Sequence, residues 1–158
     1  MHNLIFQVDL APIDKEQYLN FDKVGEQNDD LIDYAYDTDE TDRAAFIESF
    51  VSMFPDGMFR MSEDLSSLIY QGGFPDWHYE FNRDLQNIAN SANGLIPFEN
   101  YEIIKMHLDN PLDTDDFFVI DSYEGCGRLT RTMGVMRLVS RLKNGDRLYI
   151  GSILGYHW

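Results

Sequence analysis

The sequence predicts an α+β domain with a single mixed or mainly antiparallel sheet of about five strands packed with about four helices. Three observations lead there. Segments of helical periodicity and short apolar runs follow one another as strand, helix, two strands, two helices, strand, helix, strand, without the steady alternation of a parallel βαβ fold. Of the 158 residues 44% are hydrophobic and 14% aromatic, which suits one real core and leaves too little chain for two comfortable ones. No repeat, low-complexity linker or composition shift divides residues 1–158, so one domain is expected.

Residues 3–9 read as a strand, with Leu4, Phe6 and Val8 on one face and Ile5 and Gln7 on the other. Pro12, Asn20 and Gly25 then mark turns around one short helix at Asp14–Leu19. From Asp39 to Phe54 the spacing becomes helical: Phe46, Ile47, Phe50, Val51 and Phe54 share an arc, and Glu48, Ser49 and Ser52 lie opposite. Acids at its start suit the positive end of the helix dipole, and Pro55-Asp56-Gly57 stops it. Met58–Met61 and Leu65–Tyr70 form a hairpin pattern around Ser62-Glu63-Asp64. A second helix starts near Pro75 with the stripe Trp77, Phe81, Leu85, Ile88 and Ala92, and stops at Asn93-Gly94. A third runs from Pro97, carrying Tyr101, Ile104 and Leu108, until Asn110-Pro111 breaks it. Phe117–Ile120 is a strand covered on both faces, and a fourth helix spans Arg128–Leu142. Leu148–Leu154 is again apolar on both faces and should lie inside the sheet.

Charge excludes several function classes. Acids outnumber bases 28 to 12, for a formal charge of −16 and a pI near 4.3. A surface that binds nucleic acid by neutralising phosphates is therefore not expected, nor is affinity for an anionic membrane. The aromatic content, 11 Phe, 9 Tyr and 2 Trp, separates the chain from disordered acidic segments. A single cysteine excludes an internal disulfide framework and suits a reducing cytosol. The start of the chain lacks a basic region and a signal-length apolar run, and no stretch reaches the roughly 18 apolar residues of a membrane span. A cytoplasmic protein is expected. The charge is also lopsided: residues 1–79 hold 17 acids and 4 bases, whereas six of the twelve bases lie between Arg128 and Arg147.

Motifs of catalysis are scarce. Gly125-Cys126-Gly127, after a strand and before a helix, could present a thiolate to helix amides with Arg128 and Arg131 following. Cysteine phosphatases use such a loop but place an arginine six positions after the cysteine, and here that position is Thr132. No histidine stands nearby as a base, and a small thiol in a turn is the commoner role. His2, His78, His107 and His157 lack zinc-ligand spacing, and Asp109–Asp116 lacks the glycine and glutamate of a calcium loop. Gly72-Gly73 and Gly125-x-Gly127 match no phosphate-binding pattern, and no nucleophile elbow occurs. No catalytic residue, metal site or cofactor is expected. A small enzyme or anion-binding domain built on Cys126, Arg128 and Arg131 is the alternative reading.

The favoured reading rests on Asp29–Asp42, which has seven acids in fourteen residues and no base. A charge run is usually a solvated face. Here Leu31, Ile32, Tyr34 and Tyr36 are interleaved with the carboxylates, and tyrosine anchors inside a uniform field are what an interface with a basic partner uses. Asp29, Asp30, Asp33, Tyr34, Tyr36, Asp37, Asp39 and Glu40 are the candidate contact residues. In size and charge the chain resembles immunity proteins that neutralise nuclease toxins, and acidic DNA-mimic and anti-restriction inhibitors; the resemblance is one of composition. It implies a non-enzymatic inhibitor that blocks or sequesters a basic protein, such as a nuclease or another nucleic-acid-binding protein, without itself touching nucleic acid or membrane.

Overall fold

A strand that is apolar on both faces is stable only where both faces are covered. In the computed structural model, which describes residues 3–28, 31–90, 95–120 and 128–157, the run Arg147–His157 is the longest strand and lies inside the sheet. The other elements, in chain order, are β1 (Asn3–Asp9), α1 (Phe21–Gln27), β2 (Tyr34–Asp37), α2 (Arg43–Ser52), β3 (Phe59–Met61), β4 (Ser67–Tyr70), α3 (Phe74–Ala89), α4 (Asn100–Asp109), β5 (Phe117–Val119) and α5 (Met133–Val139); the long strand is β6. The α+β class with one mixed sheet therefore holds, with six strands and five α-helices among the described residues. None of these helices is long and apolar enough to cross a membrane.

The sheet runs β3-β4-β6-β1-β5, and only β1 and β5 are parallel. One edge of β6 pairs with β1, from Asn3 opposite Tyr156 to Asp9 opposite Tyr149. Its other edge is shared: β4 takes Arg147–Tyr149 and β2 takes Leu154–His157. That leaves a gap in the ladder at residues 150–153, and backbone groups there must find partners elsewhere. Ile150 N–H donates to the Ser66 carbonyl at 2.9 Å. Arg43 donates through Nη2 to the Ile150 carbonyl (3.0 Å), through Nη1 to the Gly151 carbonyl (2.9 Å) and through Nε to the Leu65 carbonyl (3.2 Å). The Thr38 hydroxyl donates to the Ile153 carbonyl at 2.6 Å. One guanidinium thus does the work of a missing strand segment.

Alternation along the strands gives two cores. On one face Phe6, Phe50 and Phe118 stack with centroids 4.8 to 5.7 Å apart, and α2, α3 and α5 close over them with Ile47, Trp77, Val135 and Leu138. The arc expected for α2 is the buried one: Ile47, Phe50 and Phe54 are inside, and Glu48, Ser49 and Ser52 face water. On the other face Ile5, Phe117, Leu154 and Tyr156 pack with Leu19, Val24, Ile32 and Leu129. Tyr156 explains why β6 runs beyond the expected Leu154: its ring lies 5.3 Å from Phe117 and its hydroxyl donates to the Asp115 carbonyl.

Several boundaries differ from the sequence reading. The helix expected at Asp14–Leu19 is a single 3₁₀ turn, Lys15–Gln17, and α1 and β2 were not anticipated. The fourth helix starts at Met133 instead of Arg128, because Thr130 is held extended by two backbone bonds to Phe118 (2.9 and 2.8 Å). The third starts at Asn100 instead of Pro97, after a turn in which Asn100 N–H donates to the Pro97 carbonyl. The stop at Asn93-Gly94 lies outside the described residues.

Two predictions follow from these contacts. Replacing Arg43 by Met leaves three carbonyls without their donor, and chemical denaturation should show a loss of roughly 2 to 4 kcal/mol. Arg43→Lys should recover only part of it, since one ammonium cannot span three acceptors; a loss below about 0.5 kcal/mol for the Met variant would show the gap needs no plug. In the β3–β4 turn, the Ser62 and Ser66 hydroxyls and the Ser66 N–H donate to Asp64 and hold its carboxyl at about 2. A folded-state value below the ordinary one gives stability that is present above 3.8 and is lost as pH falls through 3.8 toward 2. Melting curves should therefore show wild type above Asp64→Asn at neutral pH, with the difference vanishing near pH 2.

Candidate functional site

The acidic segment is folded onto the end of the sheet, and strand geometry divides it. In β2 successive side chains alternate, so Tyr34 and Tyr36 share one face while Ala35 and Asp37 share the other. Ala35 is buried in the second core. Tyr36 is half-buried because its ring occupies the space over Gly155, directly opposite in register; a Cβ at 155 would overlap that ring. Tyr34 is 55% exposed. Its ring lies parallel to His157 at 5.5 Å and 6.2 Å from Tyr36, and Asp33 Oδ2 is 3.8 Å from His157 Nδ1. This face is an aromatic platform with one carboxylate beside it.

The opposite side is a groove of about 280 Å³ between β2, the start of α2 and the end of β6. Leu19, Ile153 and Leu154 contribute apolar walls, Tyr18 flanks them, and Asp37, Asp39 and Glu40 supply carboxylates. Asp39 also accepts the Thr41 N–H at 2.9 Å, which caps the 3₁₀ turn Glu40–Asp42 and lowers its pKa below the ordinary carboxylate value. Arg43 lines the groove as well, with Nε, Nη1 and Nη2 each donating to a backbone carbonyl. None of the ion pairs among the described residues involves Asp37, Asp39 or Glu40.

Of the expected contact residues, the structure brings Asp33, Tyr34 and Tyr36 to the platform and Asp37, Asp39 and Glu40 to the groove; Asp29 and Asp30 lie outside the described residues. Sequence reasoning missed His157, Gly155, Tyr18, Leu19 and Arg43. The first two are brought in by β6 from more than a hundred residues away, and no local signal marks them. Arg43 did have one: it is the only base between Lys23 and Arg60.

Of the alternative site, only the arginines are among the described residues. Gly125, Cys126 and Gly127 lie outside the described residues. Arg128 is exposed, while Arg131 is 4.0 Å above the Phe117 ring and donates to the Asp115 carbonyl at 2.9 Å. His78 on α3 is exposed and stacks on Phe74 at 5.5 Å. Among the described residues no three His, Cys, Asp or Glu side chains gather where they could hold a metal ion. Comparison with known protein families, with curated proteins and with solved structures finds no match to this chain.

The fit of Tyr36 over Gly155 can be tested by a double-mutant cycle. Gly155→Ala should cost roughly 1 to 3 kcal/mol in wild type, as overpacking does, and much less once Tyr36→Ala has vacated the space. Additive losses in the cycle would mean that the two residues do not meet.

Proposed function

We infer that this protein is a non-enzymatic binder of a basic polypeptide, and that the groove beside β2 takes a lysine or arginine side chain of that partner. The observation that carries this reading is the state of Arg43. Arg43 lines the groove, but its guanidinium is aimed at three backbone carbonyls, and no ion pair among the described residues joins it to the groove's carboxylates. Asp37, Asp39 and Glu40 are exposed, and with three of them to one arginine the groove keeps a net negative charge for a cation from outside. The aliphatic stem of a lysine or arginine would lie against Leu19 and Leu154 while its charged end meets the carboxylates. On the other face of β2, Tyr34 offers a flat, exposed ring already braced by His157, the kind of preordered anchor that interfaces favour.

The chain's charge of −16 supports the same reading at long range. A strong negative field raises the encounter rate with a basic cleft by orders of magnitude at low salt. A protein docked by its carboxylates over such a cleft covers the positions that phosphates would occupy. Blocking or sequestering a nuclease or another nucleic-acid-binding protein is the activity this would give.

Binding of an arginine-rich peptide, followed by interferometry across a salt series, tests the groove. Asp37→Asn with Glu40→Gln should slow association and flatten the salt dependence, since exposed interfacial charges act mainly on the on-rate. Tyr34→Ala should instead speed dissociation, by about fivefold for an anchor worth roughly 1 kcal/mol. Asp39 is left intact because it caps the turn before α2. If the doubly neutralised protein melts like wild type and binds at an unchanged rate, the groove is not the contact surface.

A further inference from the structure

α4 is a helix without a buried side chain. It packs on α3 as an antiparallel pair: Asn100 Nδ2, at its start, donates to the Ile88 carbonyl near the end of α3, and His107, near its end, faces Trp77 and Phe81 near the start. The pairing leaves much apolar surface uncovered, with Phe98 82% and Met106 69% exposed and Tyr101, Ile103 and Leu108 also open to water. A surface of this kind on a folded domain usually serves contact.

Two depressions meet along this hairpin at His107, Asn110 and Asp113. One, of about 510 Å³, is walled by Ile103 and Met106 and edged by Asp109, Asp113 and Asp115. The other, of about 280 Å³, lies between the two helices over Trp77, Phe81 and Leu85, edged by Glu80 and Asp84. Together they form a trough whose apolar patches, Trp77, Phe81 and Leu85 in one part and Ile103 and Met106 in the other, are bordered by carboxylates. Of the cations near it, Arg83 pairs with Glu80 and Asp84, and Arg131 sits on Phe117 and donates to the Asp115 carbonyl.

We propose that this trough docks a basic amphipathic α-helix of a partner protein, laid across α3 and α4 as a third helix. The apolar face of that helix covers Trp77, Phe81, Ile103 and Met106, and its lysines or arginines meet Asp109, Asp113 and Asp115. A helix suits the site because a groove between two antiparallel helices accepts side chains at i, i+4 and i+7 of a third. Met106 adds an adaptable contact. A second copy of this chain fits poorly, since its own hairpin would set one carboxylate rim against another in a molecule already at −16. The trough is separate from the β2 groove and does not depend on its role.

The probe is a leucine/lysine amphipathic peptide of about 16 residues, with a scrambled peptide of equal composition as control. Wild type should bind the amphipathic form about tenfold or more tightly than the scrambled one, and the bound peptide should gain helical circular dichroism. Ile103→Ser with Met106→Ser, both at exposed positions, should erase that preference with the melting temperature held. Asp109→Asn with Asp113→Asn should flatten the salt dependence, and Asp37→Asn with Glu40→Gln should leave the preference intact. Equal binding of the two peptides, or a preference unmoved by the double serine variant, overturns the proposal. So does a wild-type dimer that Ile103→Ser with Met106→Ser converts to monomer, because the trough would then belong to a second copy.

Discussion

The sheet depends on one guanidinium. β6 is longer than either strand on its outer edge, and the break between β4 and β2 would expose carbonyls in the middle of the molecule if Arg43 did not reach into it. Its position in the chain runs against helix electrostatics, since it is the first residue of α2, where the dipole disfavours a cation. The preceding Asp39, Glu40 and Asp42 offset that cost, so the acidic segment stabilises the arginine before any partner is considered. Arginine suits the place because its planar fork addresses several acceptors at fixed angles. The same contact fixes α2 against the sheet and aims the guanidinium that lines the groove at the backbone, so fold and candidate site share one residue.

Much of the fold was legible because it follows from periodicity. The arc of Phe46, Ile47, Phe50, Val51 and Phe54 marks α2, and the two-faced apolarity of Leu148–Leu154 marks the inner strand. β2 was not legible, because its four residues sit inside a run of carboxylates that reads as solvated, and only pairing with the far end of β6 makes them a strand. α1 is similarly set by its surroundings: Val24 anchors it in the second core, and Gly25 argues locally against a helix. The candidate site was legible in composition and not in arrangement. Asp33, Tyr34, Tyr36 and Asp37 are neighbours in sequence, but strand alternation sends the tyrosines and Asp37 to opposite faces.

Burial of polar groups shows the same economy in the second core. Gln7 is fully buried, and its side-chain oxygen accepts from the Leu19 N–H, the Ser152 N–H and the Ser152 hydroxyl while its amide donates to the Gln17 carbonyl. Four bonds from one side chain tie β1 to β6 and to the loop that forms a wall of the β2 groove. Gly151 permits this, as a Cβ there would collide with the Gln7 amide. Asp116 is less comfortable: burial raises its pKa, and the Leu4 N–H at 2.8 Å opposes that rise.

The pairing of β1 with β6 joins residues 3–9 to residues 149–156, so the centre of the sheet is made from segments separated by nearly all of the described chain. The sheet cannot close until both segments are present, whereas the β3–β4 hairpin is local and can form without either. Loop closure over that distance is slow relative to hairpin formation.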